Sequence, residues 1–205
     1  CPRPKATTMV RWLILLSILT AGAAHVPAAE LRVAVAANFA ACLEALAGPF
    51  EEQTGHDLVV IQGSTGRHHA QIVAGAPFDV FLAADARRPA DLERRGLVVP
   101  GSRFCYAVGE LVLWWPDPPR PVPGDLRTAL LAPDLQHLAL ANPRLAPYGE
   151  AAVQTLESLD LPSGVPYERV QGQNIVQAWQ FVASGNAEAG LVARSLLAAA
   201  DAEAE

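Results

Sequence analysis

Residues 31–55 read LRVAVAANFAACLEALAGPFEEQTG. The first six, Leu31 to Ala36, form a short apolar run of the kind that makes a strand buried on both faces. Beyond Asn38 the apolar residues recur at helical spacing, at Phe39, Leu43, Leu46 and Phe50, and the pattern ends near Gly55. A buried strand that passes through a polar turn into a helix is the opening unit of an α/β sheet.

The unit recurs along the chain. A strand at Leu58–Ile61 leads through Gly63-Ser64-Thr65-Gly66 into a helix from about Arg67 to Ala74, and a strand at Phe78–Ala83 precedes a helix at Arg87–Gly96. The alternation breaks at the extended run Phe104–Trp115 and the proline-rich stretch Pro116 to Pro121, where a first crossing between two lobes is expected. A second set follows: strand Leu135–Ala141, helix Pro147–Leu159, strand Tyr167–Gln171, helix Asn174–Ser184, and Ala187–Ala193 as the strand returning to the first lobe. The expected class is α/β in two lobes, each an open and mostly parallel sheet flanked by helices. Residues 30–107 and 191–205 belong to the first lobe on this reading, and residues 108–190 to the second.

Residues 1–29 read differently. Arg11, the apolar stretch Trp12–Ala24 and small residues at Ala23, Ala24, Ala28 and Ala29 have the order of a secretory signal peptide, cut after Ala24 or Ala28. The apolar stretch is short for a membrane span. The residues before Met9 resemble read-through upstream of a start codon.

Processing would remove Arg3, Lys5 and Arg11, leaving 12 of the 15 basic residues against all 21 acidic ones, a net charge of −9 with no lysine. Such a balance argues against nucleic acid and anionic membranes as partners, because both are bound through basic patches. An anion site here has to rely on aimed main-chain and hydroxyl donors. Cys42 and Cys105 lack metal-ligand spacing and read as two separate buried thiols, with a disulfide open outside the cytoplasm.

Four turns place a small or hydrogen-bonding residue at a helix start: Asn38, Ser64 with Thr65, Tyr148 with Gly149, and Asn174 with Ile175. A helix start leaves main-chain N–H groups unpaired at the positive end of the helix dipole, a ready cradle for an anion. Each turn taken singly is explained as well by ordinary capping. Two precede the crossing and two follow it, so lobes facing each other would aim all four at one cleft.

The stretches Val35-Ala36-Ala37-Asn38-Phe39, Gly63-Ser64-Thr65-Gly66, Ala74 to Asp85, Ala141-Asn142-Pro143, Ala146-Pro147-Tyr148-Gly149 and Val170 to Ile175 together resemble the periplasmic molybdate-binding proteins of bacterial ABC transporters, in particular a branch with the AANF motif. The likeness runs from about residue 31 to 197. It implies a type II periplasmic-binding-protein fold and capture of molybdate or tungstate by closure of two lobes, with no cofactor, no metal cation and no enzymatic activity. It also implies a monomer that delivers the anion to a permease in the inner membrane. Carried over residue by residue, the resemblance implies that Asn38 donates from the first turn, Ser64 and Thr65 supply hydroxyl and amide donors, Tyr148 donates through its backbone with its phenol as a second candidate donor, and Ile175 donates through its main-chain N–H. Some relatives place a ligand-contacting tyrosine where this chain has Ala193, and they carry a final strand and helix beyond the point where this sequence stops. A binder of sulfate or thiosulfate, a periplasmic transferase on the same fold and a nonfunctional fragment are the alternatives.

Other residues have plainer readings. His68 and His69 are expected at the surface or helix start rather than as metal ligands with His56, and Asp79 and Asp85 in capping or sheet-end hydrogen bonds. Trp114 and Trp115 are expected to divide between core and crossover.

Overall fold

A computed structural model describes residues 29–116 and 125–198. The expected signal segment through residue 28, most of the proline-rich stretch and residues 199–205 lie outside the described residues.

The first sheet has three parallel strands. β1 (Glu30–Ala36) is central, with β2 (Asp57–Gly63) on one side and β3 (Val80–Leu82) on the other. Its position accounts for its sequence: Val33, Ala34, Val35 and Ala36 are buried. After β1 the chain makes a 3₁₀ turn at Ala37–Phe39 and enters α1 (Ala40–Thr54), which stops where Gly55 turns left-handed at φ 72°. It then runs β2, α2 (Thr65–Val73), β3 and α3 (Arg87–Arg94).

The second sheet has four strands: β4 (Leu111–Trp114), β5 (His137–Ala141), β6 (Glu168–Gly172) and β7 (Ala189–Ala193) in the order β4-β7-β5-β6. β5 lies parallel to β6 and β7, and β4 closes the edge antiparallel to β7, Leu111 opposite Ala193. α4 (Leu126–Leu130), α5 (Pro147–Ser158) and α6 (Ile175–Ala183) complete this lobe. Its core packs Leu130, Leu135, Leu138, Leu140, Leu156, Tyr167 and Leu191.

One strand departs from the sequence reading. Ala189–Ala193 does not return to the first sheet; it runs inside the second, between β4 and β5, and all five residues are buried. An all-apolar run shows that a strand is covered on both faces, but not by which sheet.

Both sheets share one device. The chain leaves β1 for β2 on one side and comes back to β3 on the other, and leaves β5 for β6 before coming back to β7. Such a switch opens a crevice at the carboxyl ends of the central strands, which is where α/β sheets hold ligands.

Candidate functional site

The two crevices meet. Ala36, Ala37 and Asn38 at the end of β1, Gly63, Ser64 and Thr65 at the end of β2, and Ala84 after β3 face Ala146, Pro147 and Tyr148 at the start of α5 and Asn174 and Ile175 at the start of α6 across one narrow cleft. Asn38, Ser64, Thr65, Tyr148 and Ile175 are thus brought together, and none of the lining residues carries a charge. Alanines allow the approach: Ala37 of the first lobe packs against a cluster of Ala141, Ala146, Ala178, Ala193 and Ile175 from the second.

The donors differ in how far the fold already uses them. Ser64 caps α2 in position, with φ −78° and ψ 143°, yet its side chain makes no capping bond, so its hydroxyl is not spent on the helix. Thr65 is 1% exposed and its Oγ1 accepts the main-chain N–H of Ala84 at 3.1 Å. Asn174 is an ordinary N-cap, its Oδ1 accepting the N–H of Gln177 at 2.9 Å, and what it leaves to the cleft is the start of α6 at Ile175. The Asn38 carbonyl accepts the Ser195 hydroxyl at 2.9 Å.

Tyr148 lines the cleft while its phenol reaches the crossing segment. A Cβ at Gly109 would stand 2.0 Å from the Tyr148 oxygen, so the phenol lies directly against the Gly109 main chain. Burial, and then the carboxylate of Glu110, push the Tyr148 phenol up from its ordinary value. Tyr106, which the sequence reading passed over inside an extended run, donates its hydroxyl to the Ala83 carbonyl at 2.8 Å and meets Phe39 edge to face at 4.9 Å. Burial, with Tyr148 and Cys105 nearby, pushes its phenol up to about 12. Both phenols therefore stay protonated at neutral pH. On the rim the Arg88 guanidinium is paired with Asp85, which also accepts the Arg88 N–H at 2.9 Å.

His68 stands in the first turn of α2, as one of its two expected places, but the surface reading of His68 and the buried reading of the two cysteines are corrected. His68 is buried at 2% exposure: its ring stands against Gly63, between Phe78 and Phe81, with Nε2 3.2 Å from the Val35 carbonyl and Nδ1 3.2 Å from Gln71 Oε1. The missing side chain at Gly63 makes room for the ring, since a Cβ there would stand 2.6 Å from Nε2. Cys42 and Cys105 are free thiols and both are exposed, because they lie on the outer face of α1 and in the open crossing segment. Asp79 accepts the Arg32 N–H at the sheet end at 2.8 Å, as expected, whereas Trp114 and Trp115 are both half-buried, with Trp114 stacked on Trp179 at 5.9 Å. His69 pairs with Asp91 at 2.9 Å.

Residues 31–205 match the family model of the bacterial extracellular solute-binding proteins. The chain belongs to that family. Among the bacterial extracellular solute-binding proteins it is similar to the molybdate-binding protein ModA of Azotobacter vinelandii, 51% identical over 168 residues, and to the ModA of Rhodobacter capsulatus, 45% identical over 168 residues. Each alignment covers 82% of this chain and 66% of the relative, so the chain spans about two thirds of the length of these relatives. The solved structure of the Azotobacter vinelandii periplasmic molybdate-binding protein superposes with a TM-score of 0.72 at 42% identity, covering 80% of this chain and 71% of that one. The two-lobed fold of this solute-binding family is therefore the fold of this chain.

Proposed function

We propose that this chain captures molybdate, and its near twin tungstate, in the cleft between the lobes and delivers it to an ABC permease in the inner membrane. One observation carries the reading: four helix-start turns, two from each lobe, line a single cleft of neutral donors with no charged side chain among the lining residues. The similar proteins whose names say that they bind molybdate support the choice of anion.

Asn38, Ser64, Thr65, Tyr148 and Ile175 are the assigned ligand residues. A buried dianion keeps its charge only if hydrogen bonds replace its hydration, and two closing lobes can surround it with donors. Hydrogen phosphate still carries a proton that needs an acceptor, which a donor-only site does not offer. Sulfate is the smaller oxyanion and is discriminated by fit. Residues 1–29 fit export through a cleaved signal, and the working form is a monomer in the periplasm.

Because a ligand that binds only the folded state raises its melting temperature, thermal unfolding with each anion tests the reading. Molybdate and tungstate should each raise the midpoint, sulfate far less and phosphate not at all. A shift with sulfate as large as with molybdate assigns the cleft to another oxyanion.

A further inference from the structure

Gly66 is the second residue of α2, next to the cleft residues Ser64 and Thr65, and its N–H is given to the other lobe: it donates to the main-chain oxygen of Leu145 at 2.8 Å. One helix start thus serves two partners, the cleft through Ser64 and Thr65 and the facing lobe through Gly66.

The fit is tight and the acceptor is fixed. A Cβ on Gly66 would stand 2.7 Å from the Leu145 oxygen and 3.1 Å from Leu145 Cα, both main-chain atoms. The turn that carries them is tied down, since the N–H groups of Leu145 and Ala146 both donate to the Asn142 carbonyl at 3.1 and 2.9 Å, and Asn142 Oδ1 accepts the Arg144 N–H at 2.9 Å. Around the same contact Arg88 Nη2 reaches the Arg144 carbonyl at 3.5 Å, and Arg87 pairs with Glu150 at 2.8 Å across the lobes. Gly66 is not in the left-handed region, and within its own lobe a Cβ would meet only the far end of the flexible Arg88 side chain, at 3.2 Å. Alanine is the better residue in a helix.

We infer that the Gly66–Leu145 main-chain bond is the clasp that holds the lobes shut over the anion, and that residue 66 sets how long the anion stays. This rests on the proposed capture of an oxyanion by lobe closure. A side chain at position 66 leaves the open protein intact and blocks only the last approach of the lobes.

The test separates closure from folding in the Gly66→Ala variant. Its anion-free melting temperature should equal or exceed that of the parent, while radiolabelled molybdate should dissociate about tenfold faster or more, with an association rate within about threefold of the parent. Arg87→Ala removes an exposed ion pair at the edge of the same contact and should change dissociation by less than about threefold. A Gly66→Ala protein that releases molybdate at the parental rate overturns the inference. So does one that melts well below the parent without anion, because the contact would then belong to the resting fold. A parent that binds no molybdate defeats the capture reading itself, which is a different result from either.

Discussion

Thr65 Oγ1 accepts the N–H of Ala84 at 3.1 Å, so one hydroxyl joins the turn after β2 to the turn after β3. The bond to Ala84 uses the oxygen as acceptor and leaves the hydroxyl proton available as a donor at the cleft that Thr65 lines. Thr65→Val keeps the shape and deletes that donor together with the acceptor of the Ala84 N–H. We expect a loss on the order of 1.5 to 3 kcal/mol in anion binding, about tenfold to a hundredfold in affinity, by calorimetry. Thr65→Ser should retain most of the affinity. Ser64→Ala should cost a similar amount; parental binding by both deletions, with the fold intact, would move the site away from this turn.

Ile175 stands first in α6, where proline is accepted, and Asn174 before it is extended at φ −145° and ψ 178°, the backbone a following proline prefers. Ile175→Pro and Ile175→Val remove comparable apolar volume, but only proline removes the N–H. The valine variant should bind nearly as the parent does, and the proline variant about tenfold or more weaker. Equal affinities would exclude the main-chain donor.

The Tyr148 phenol lies against Gly109 rather than free in the cleft. Tyr148→Phe should therefore reduce anion affinity by less than about threefold, leaving the backbone of α5 as the donor. Gly109→Ala, which places a methyl group where the phenol sits, should do more harm than the loss of the hydroxyl. A large loss in Tyr148→Phe would assign the phenol to the anion directly.

The sequence placed all five assigned ligand residues on turns that the fold brings to one cleft, because strand, turn and helix have separate periodicities and the turns mark their joints. Contacts whose information is not local stayed out of reach. Ala189–Ala193 is apolar throughout, which reports burial without naming the sheet. The five-residue α4 is too short to display a helical period. His68 looked like a surface residue because its burial depends on Gly63, five positions earlier, and on rings from β3 and the approach to it. Tyr106 had no motif around it at all; only its bond to Ala83 reveals it.

Burial lowers the His68 pKa from its ordinary 6.5, outweighing the hydrogen bonds to Gln71 and Val35 that raise it, with Arg67 lowering it further. The unfolded chain then binds more protons than the folded one between the two values, so stability rises with pH in that window. It is fully present above about pH 6.5 and is lost as the pH falls toward the folded-state value. Melting temperatures from pH 7.5 to 5.5 should decline in the parent and decline less in His68→Gln. Identical slopes would remove His68 as the cause.

Selection of a large tetrahedral oxyanion by a cleft of neutral donors is tested by a calorimetric titration of the purified protein with molybdate, repeated in the presence of excess sulfate and of excess phosphate. One site for molybdate is expected, with an apparent affinity unchanged by excess phosphate, lowered only slightly by excess sulfate, and varying little between about pH 6 and 8, where the proposed donors do not titrate. Displacement of molybdate by equimolar sulfate, or by phosphate at any comparable concentration, would contradict it.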